Sequence, residues 1–176
     1  YKVTIIPRGR ALGVTMFLPE DDKYMQRKEY LLSRICTLYG GRIAEQLING
    51  ERNITTGASN DIEVATGIAT NMVTKWGLSD KVGPLKFGED DSSPFLGRSA
   101  SQSSKTYSDE TSKLIDSEIK DIINSCYERA ETILKDNMDK LHTMAEALLK
   151  YETIDQHQID DIMSGAEPRE PSDWYN

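Results

Sequence analysis

Apolar residues recur at steps of three and four through most of this 176-residue sequence. This spacing places the apolar side chains on one face of an α-helix, where they can pack against a core. It predicts helices over residues 23–49, 62–76, 108–136 and 138–149, followed by a short helix that Asp155 caps with Gln158 three residues later. The sequence therefore predicts a mainly α fold that ends in a helical bundle over residues 107–163.

The N-terminal region departs from helical spacing. Residues 2–6 and 12–18 are rich in Val, Ile, Thr and Phe, and Arg8-Gly9-Arg10 between them has the composition of a turn. Two β-favouring segments joined by a short turn predict a β-hairpin. Residues 85–87 follow Gly83-Pro84 and predict one further short strand. We therefore expect a small β-hairpin or sheet near the N-terminus of a helical domain.

Two adjacent glycines interrupt the first predicted helix. Gly40 and Gly41 lie among apolar residues at helical spacing, and each glycine costs a helix about 1 kcal/mol relative to alanine. Two explanations are open: the helix breaks at this point, or a second backbone packs very close to it. The sequence does not choose between them.

The composition also predicts how the chain is divided. Residues 88–106 contain an acidic run and six serines but few apolar residues, so we expect a mobile loop there. This loop separates residues 1–87 from the predicted bundle at residues 107–163. Residues 164–176 contain two prolines and are expected to form a flexible tail.

The net charge is −8, and the whole negative excess lies from residue 108 onward. An acidic surface repels phosphate backbones, so nucleic acid is not an expected partner.

No apolar run approaches the roughly 20 residues that a membrane-spanning helix needs. The sequence begins without Met or a signal peptide, so we expect that an upstream part is missing. Cys36 and Cys126 fall on apolar helical stripes and predict buried thiols.

Most catalytic constellations are absent from the sequence. It has no G-x-x-x-x-G-K-[ST] phosphate loop, no G-x-S-x-G nucleophile elbow and no C-x-x-C pair. Its two histidines, His142 and His157, lie on separate predicted helices, and neither has a second histidine four residues away. We therefore expect these residues to bind no ATP and to form no complete metal site unaided.

The polar segment from Thr55 to Asp61 is the best candidate for chemistry. One interpretation is structural, a loop followed by a helix that Asn60 caps with Glu63 three residues later. The other is that the Asp61 carboxylate points from the helix start toward a cation, as in a zinc site with three protein ligands. Glu45 has two comparable interpretations, a solvated helix residue or a candidate ligand.

Seven segments occur in a characteristic order along the chain. They are VTIIPRGRALG at 3–13, LYGGRIAE at 38–45, TGASNDI at 56–62, NMV and WG within 71–77, LGR at 96–98, YSDET at 107–111 and YETID at 151–155. Together they closely resemble the peptidase domain of the FtsH family of membrane-anchored, ATP-dependent zinc metalloproteases. The resemblance implies that residues 1–163 adopt the mainly α fold of that domain.

The resemblance implies a homo-hexamer whose separate ATPase domain uses ATP and Mg²⁺ to unfold polypeptide substrates and thread them into a chamber of zinc sites. Each subunit of the complete domain would hold one zinc ion through two histidines of an H-E-x-x-H helix and an aspartate that matches Asp61. The Glu of that motif is the general base that activates water. This sequence lacks H-E-x-x-H. No catalytic residue is therefore assigned in it, and we expect this part alone to be inactive.

The resemblance also implies a location and a way to bind substrate. The family is anchored through an N-terminal part, with the peptidase domain on the cytoplasmic side of the bacterial inner membrane, and organellar relatives exist. A strand beside its zinc site accepts unfolded polypeptide, and our candidates for this strand are Gly13, Val14, Thr15, Met16 and Phe17. The alternative function is a non-catalytic assembly module whose amphipathic helices hold a ring together.

Overall fold

A computed structural model of the chain describes residues 2–7, 13–16, 25–87 and 108–171. Its elements are, in chain order, β1 (Lys2–Thr4), β2 (Val14–Met16), α1 (Lys28–Asn49), α2 (Ser59–Thr74), α3 (Asp109–Asp136), α4 (Met138–Tyr151), β3 (Thr153–Asp155) and α5 (Gln156–Ser164). The chain divides into a central unit, residues 26–133, and a terminal unit, residues 1–25 with 134–176. The mainly α fold with a small sheet confirms the predicted class.

In the central unit, α1 packs against α2, and each helix buries one apolar face. The buried residues are Leu31, Ile35, Cys36, Tyr39 and Ile43 of α1 and Ala65, Ile68, Ala69, Met72 and Val73 of α2. Ile115 of α3 joins Val73 and Val82 in a buried cluster. The three- and four-residue spacing of these side chains is the pattern that predicts the helices.

Helix α1 runs unbroken through Gly40 and Gly41. A Cβ atom built at either glycine would meet no other atom within 4 Å, so no described backbone packs against them. The predicted break is therefore wrong, and no backbone among the described residues makes the close approach that the other explanation expects. The helix persists because Tyr39 and Ile43, on either side of the pair, are buried against the core, and burial outweighs a weak local propensity.

The segment after α2 depends on one glycine. Gly77 has a φ of 59°, and a Cβ atom there would come within 2.9 Å of the Pro84 Cα. Both observations require glycine at this position. The strand predicted at residues 85–87 is wrong, because these residues are irregular and Phe87 packs beside the buried cluster.

Cys36 and Cys126 are free and buried, as predicted. The Cys126 thiol contacts the Leu32 carbonyl, with Sγ 3.6 Å from the oxygen, one helical turn from Cys36 on α1. Burial, reinforced by the Cys36 thiol, raises the pKa of Cys126 to about 12. Cys126 therefore remains a protonated and unreactive thiol at neutral pH.

The terminal unit contains a three-stranded antiparallel sheet in the order β2-β1-β3. Lys2 of β1 lies opposite Met16 of β2 and opposite Asp155 of β3. The pairing of β1 with β2 confirms the two predicted hairpin strands, which are shorter than expected. The turn predicted at residues 8–10 and the loop predicted at residues 88–106 lie outside the described residues.

Strand β3 is not among the predicted elements. It forms because Ile154 is completely buried and packs against Ala147 and Ile162. The hydroxyl oxygens of Thr153 and Thr4 lie 2.8 Å apart and join β3 to β1. The helix cap predicted immediately after β3 is confirmed, since a complete capping box starts α5.

The chain turns back after α5. A flexible tail is predicted for residues 164–176, and the structure describes this segment as far as residue 171. In that part Arg169 binds the Asp161 carboxylate through its side chain, so the segment is anchored to α5. Among the described residues, no helix has the length and hydrophobicity that crossing a membrane requires.

Candidate functional site

Asp61 lies in the first turn of α2, which begins at Ser59. The residue that precedes the helix is Ala58, which has no side-chain group that could cap it. The cap predicted at Asn60 is wrong, because Asn60 already lies inside the helix. Asp61 is the acidic residue of this first turn, at the end of the helix where the dipole is positive.

The Asp61 carboxylate is half-buried and makes no hydrogen bond or ion pair with any residue that the structure describes. The Asp61 oxygens are not sealed from water, since among the described residues Ser112 Oγ is the buried side-chain polar atom without a partner. The helix dipole attracts the negative charge of Asp61 without occupying its oxygens. Both oxygens are therefore free to act as donors of the kind that zinc accepts from aspartate.

Glu45 of α1 supports the loop that leads to Asp61. The Glu45 Oε2 accepts the backbone N–H of Thr55 at 3.1 Å. The Thr55 hydroxyl accepts the N–H of Gly57 at 3.2 Å. Glu45 is itself half-buried. The first bond ties α1 to the loop and the second braces the loop itself, just before the helix turn that contains Asp61.

The two histidines lie elsewhere in the chain. His142 on α4 and His157 on α5 are both exposed and belong to the terminal unit. Across residues 2–7, 13–16, 25–87 and 108–171, no three His, Cys, Asp or Glu side chains converge as metal ligands. The central unit contains no histidine. The donor chemistry of Asp61 therefore fits one ligand of a zinc site, and the described residues supply only that part.

Strand β2 is an outer strand of the three-stranded sheet. It contains three of the residues predicted to bind substrate and pairs with β1 along one edge, while no described strand covers its other edge. Gly13 precedes it, and a Cβ atom there would come within 2.9 Å of the Thr4 carbonyl oxygen. Glycine therefore permits this close approach. Phe17, the last predicted substrate residue, lies outside the described residues.

Sequence reasoning missed the contact between Glu45 and Thr55. Its only local signal is an acidic residue in a mainly apolar stretch, which favours a solvated side chain over a ligand and predicts no bond to the loop. The contact joins residues on either side of the end of α1. Helical periodicity does not report on such a contact, because the chain changes direction between them.

Comparison with known proteins identifies the relatives of this chain. The family model described as Peptidase family M41 matches residues 1–162. A protein named "ATP-dependent zinc metalloprotease FtsH" from Buchnera aphidicola subsp. Acyrthosiphon pisum is 56% identical over 174 residues, which cover 99% of this chain and 28% of that protein.

Proteins of the same name occur in other bacteria. The one from Haemophilus influenzae is 56% identical over 174 residues, covering 99% of this chain and 27% of its own length. The one from Caulobacter vibrioides is 46% identical over 169 residues, covering 96% of this chain and 27% of its own length. The chain thus spans little more than a quarter of the length of these relatives.

Proposed function

The chain belongs to peptidase family M41, and from this membership we propose that it forms part of an ATP-dependent zinc metalloendopeptidase. The observation that carries the proposal is the family match over residues 1–162, together with relatives that bear this name. The proposed reaction is hydrolysis of peptide bonds in unfolded and misassembled proteins, both soluble and membrane-bound. We place the general base and two histidine ligands in an H-E-x-x-H motif, which these 176 residues do not contain.

We assign the third zinc ligand to Asp61. Its carboxylate lies at a helix start, is half-buried and has no partner among the described residues. The Asp61 carboxylate attracts a cation, whereas the positive end of the α2 dipole repels it. The full negative charge of the carboxylate must therefore outweigh the partial positive charge of the helix end. When bound, zinc supplies the positive charge that polarises a peptide carbonyl and activates water. The part played by Asp61 is to hold that ion.

Glu45 is less suited to be a ligand, although the sequence leaves it as the alternative. One of its carboxylate oxygens already accepts the Thr55 N–H at 3.1 Å. A ligand role would leave only the other oxygen, Oε1, fully available to a metal, whereas Asp61 has both oxygens available. We therefore propose that Glu45 positions the loop and that Asp61 binds the metal.

We propose that an unfolded substrate binds along β2 and its flanking residues, Gly13 to Phe17. The outer edge of β2 presents backbone N–H and C=O groups that no described strand pairs with. An extended polypeptide can add to such an edge by main-chain hydrogen bonds. Binding of this kind depends little on side chains, which suits a protease that degrades many different unfolded proteins.

The remaining assignments concern the whole parent protein. We propose that residues 1–163 form the peptidase domain, that residues 164–176 extend from it, and that other parts supply an ATPase domain with ATP and Mg²⁺, a membrane anchor and hexamer contacts. The peptidase domain would then lie on the cytoplasmic side of the bacterial inner membrane. A purely non-catalytic assembly module is not favoured, because the relatives are named as proteases.

The substitution Asp61→Asn in the full-length protein tests this proposal. It keeps the size of the side chain but removes its charge, so we expect stoichiometric zinc to be lost on dialysis and cleavage of an unfolded polypeptide to stop. The expected loss of zinc affinity exceeds the ~10–100-fold that results when a ligand loses its supporting hydrogen bond. Zinc content is measured by atomic absorption.

The matched control is Glu63→Gln, which neutralises an exposed acid two residues further along the same helix. It should retain both zinc and activity. If Asp61→Asn keeps its full zinc content, the assignment is wrong, and Glu45→Gln becomes the next variant to examine.

A further inference from the structure

Residues 166–171, the C-terminal strap, leave α5 in a fixed direction. Gly165 has a φ of 83° and ends the helix, with its N–H bonded to the Ile162 carbonyl at 3.0 Å. The N–H of Ala166 reaches the Asp161 carbonyl at 2.9 Å. This is the Schellman pattern of helix termination, which sends the chain back toward the helix that it has just left.

Arg169 attaches the strap to α5 through four hydrogen bonds. Its backbone N–H and its Nε donate to Asp161 Oδ2 at 3.1 and 2.7 Å, and its Nη2 donates to Oδ1 at 2.6 Å. The Arg169 carbonyl accepts the Gln158 Nε2 at 3.0 Å. A bidentate ion pair that is reinforced by main-chain hydrogen bonds is more rigid than an ordinary exposed ion pair.

Gln158 connects this attachment to the sheet. Its side chain is completely buried. While its Nε2 donates to Arg169, its Oε1 accepts the backbone N–H of Asp155 at 3.1 Å, and Asp155 is the last residue of β3. A buried amide that loses a partner incurs a large penalty. The strap and the end of β3 therefore hold each other in place through one side chain.

Strand β3 is connected to the outer strand β2 through the central strand β1. Asp155 lies opposite Lys2 of β1, and Lys2 lies opposite Met16 of β2. Each of the three strands has only three residues. So short a sheet depends for its order on packing and on anchors at the strand ends. A continuous path of hydrogen-bonded or paired residues thus leads from the strap to the outer strand.

We propose that the C-terminal strap is a clamp that holds β2 in the position at which an extended polypeptide can pair with it. Arg169 and Gln158 are positioning residues, because neither needs to touch the substrate. The inference rests on the proposed function, since polypeptide binding along β2 is part of that proposal. It gives a role to residues that follow the matched family region, which ends at residue 162.

The first test compares Arg169→Ala with Arg129→Ala in the full-length protein. The control also removes an arginine–carboxylate ion pair, the exposed one from Arg129 Nη1 to Glu29 Oε1 at 2.9 Å in the central unit. Hydrogen exchange is followed by mass spectrometry in peptides that cover residues 2–7 and 153–158. We expect exchange about tenfold faster in Arg169→Ala, the effect of losing about one charged hydrogen bond, and no change in the control.

The second test is cleavage of an unfolded polypeptide by the same variants. A displaced β2 weakens substrate binding without altering the metal ligands. We therefore expect KM to rise about tenfold in Arg169→Ala, with kcat and zinc content unchanged. Arg169→Lys keeps the charge and should recover part of the loss. A merely structural role would instead lower the fraction of active protein, which reduces kcat and leaves KM unchanged.

Each outcome separates the alternatives. Unchanged exchange in β1 and β3 would overturn the clamp, and faster exchange with an unchanged KM would overturn its connection to substrate. Truncation after Gly165 removes the strap entirely and must accelerate exchange more than Arg169→Ala does, or the inference fails. If the proposed function itself fails, wild-type protein neither holds zinc nor cleaves polypeptide, yet the exchange measurement still decides whether the strap holds the sheet.

Discussion

Asp61 and Asp155 both lie at the start of a helix, yet their surroundings differ. The Asp155 side chain accepts the N–H of Gln158 at 3.0 Å, and the Gln158 side chain accepts the N–H of Asp155 at 3.1 Å. Asp61 has no partner among the described residues. The sequence spacing is the same at both helices, since Asn60 and Glu63 are also three residues apart.

The difference shows at which of the two positions helix formation alone accounts for an acidic residue. An acid at a helix start ordinarily caps the helix or interacts with its dipole. Capping accounts for Asp155, because its side chain bonds the helix that it precedes. For Asp61 only the dipole remains, which contributes about 0.3–1 kcal/mol. A free carboxylate that stability does not require is what a metal ligand needs before the metal binds.

The largest expected effect is that of removing the Gln158 side chain, the buried member of the capping box at Asp155. Gln158→Ala removes a completely buried side chain and leaves the Asp155 N–H without its acceptor. We expect the free energy of unfolding to fall by roughly 2–4 kcal/mol, from the cavity and the lost hydrogen bonds together. Urea unfolding followed by circular dichroism measures the change. His157→Ala, at an exposed neighbouring position, should stay within about 0.5 kcal/mol of wild type.

Removal of the cap itself should have a smaller effect. Asp155→Ala eliminates the acceptor for the Gln158 N–H, and the typical loss for an N-cap is about 1 kcal/mol. Asp155→Asn keeps a good capping oxygen and should retain most of the stability. The same unfolding measurement distinguishes the two variants. Equal losses in both would mean that the charge of Asp155, rather than its hydrogen bond, stabilises α5.

A third aspartate, Asp161 in the same unit as Asp155, extends the comparison to pH. Arg169 holds the pKa of Asp161 at about 2, below the ordinary value of 3.8. A carboxylate whose pKa is lowered by folding stabilises the protein above the unfolded value, and this contribution is lost as the pH falls through the folded value. Between about pH 4 and pH 2, the unfolding free energy of wild type should therefore decrease more steeply than that of Asp161→Asn. Parallel slopes would show that the ion pair is not linked to folding.

The helices and strands also show how much of the fold can be predicted from the sequence. The helices, the two hairpin strands and the Asp155 capping box are local patterns, and each is present in the structure. Strand β3 was not predicted, since its pairing with β1 joins Thr153 to Thr4 across 149 positions. Whether the first helix continues through Gly40 and Gly41 was left open by the sequence, because burial against α2 overrides local propensity.

The candidate site was predictable only in part. Residue type and spacing favour a capped helix start over a metal ligand at Asp61, and it is the family resemblance that favours the ligand. The structure adds two facts that no local pattern contains, the absence of a described partner for Asp61 and the bond from Glu45 to Thr55. The bond depends on how the chain folds back on α1 before α2 begins, which is a property of tertiary packing.

The smallest expected effect tests the comparison most directly. Asp61→Ala removes no hydrogen bond to a described residue, loses a favourable dipole interaction and gains helix propensity, and the last two changes oppose each other. We therefore expect the unfolding free energy in the presence of a chelator to stay within about 0.5 kcal/mol of wild type. A loss of more than about 1 kcal/mol, the range of a true cap, would mean that Asp61 stabilises α2 in the way that Asp155 stabilises α5. In that case its free carboxylate would no longer distinguish it as a ligand.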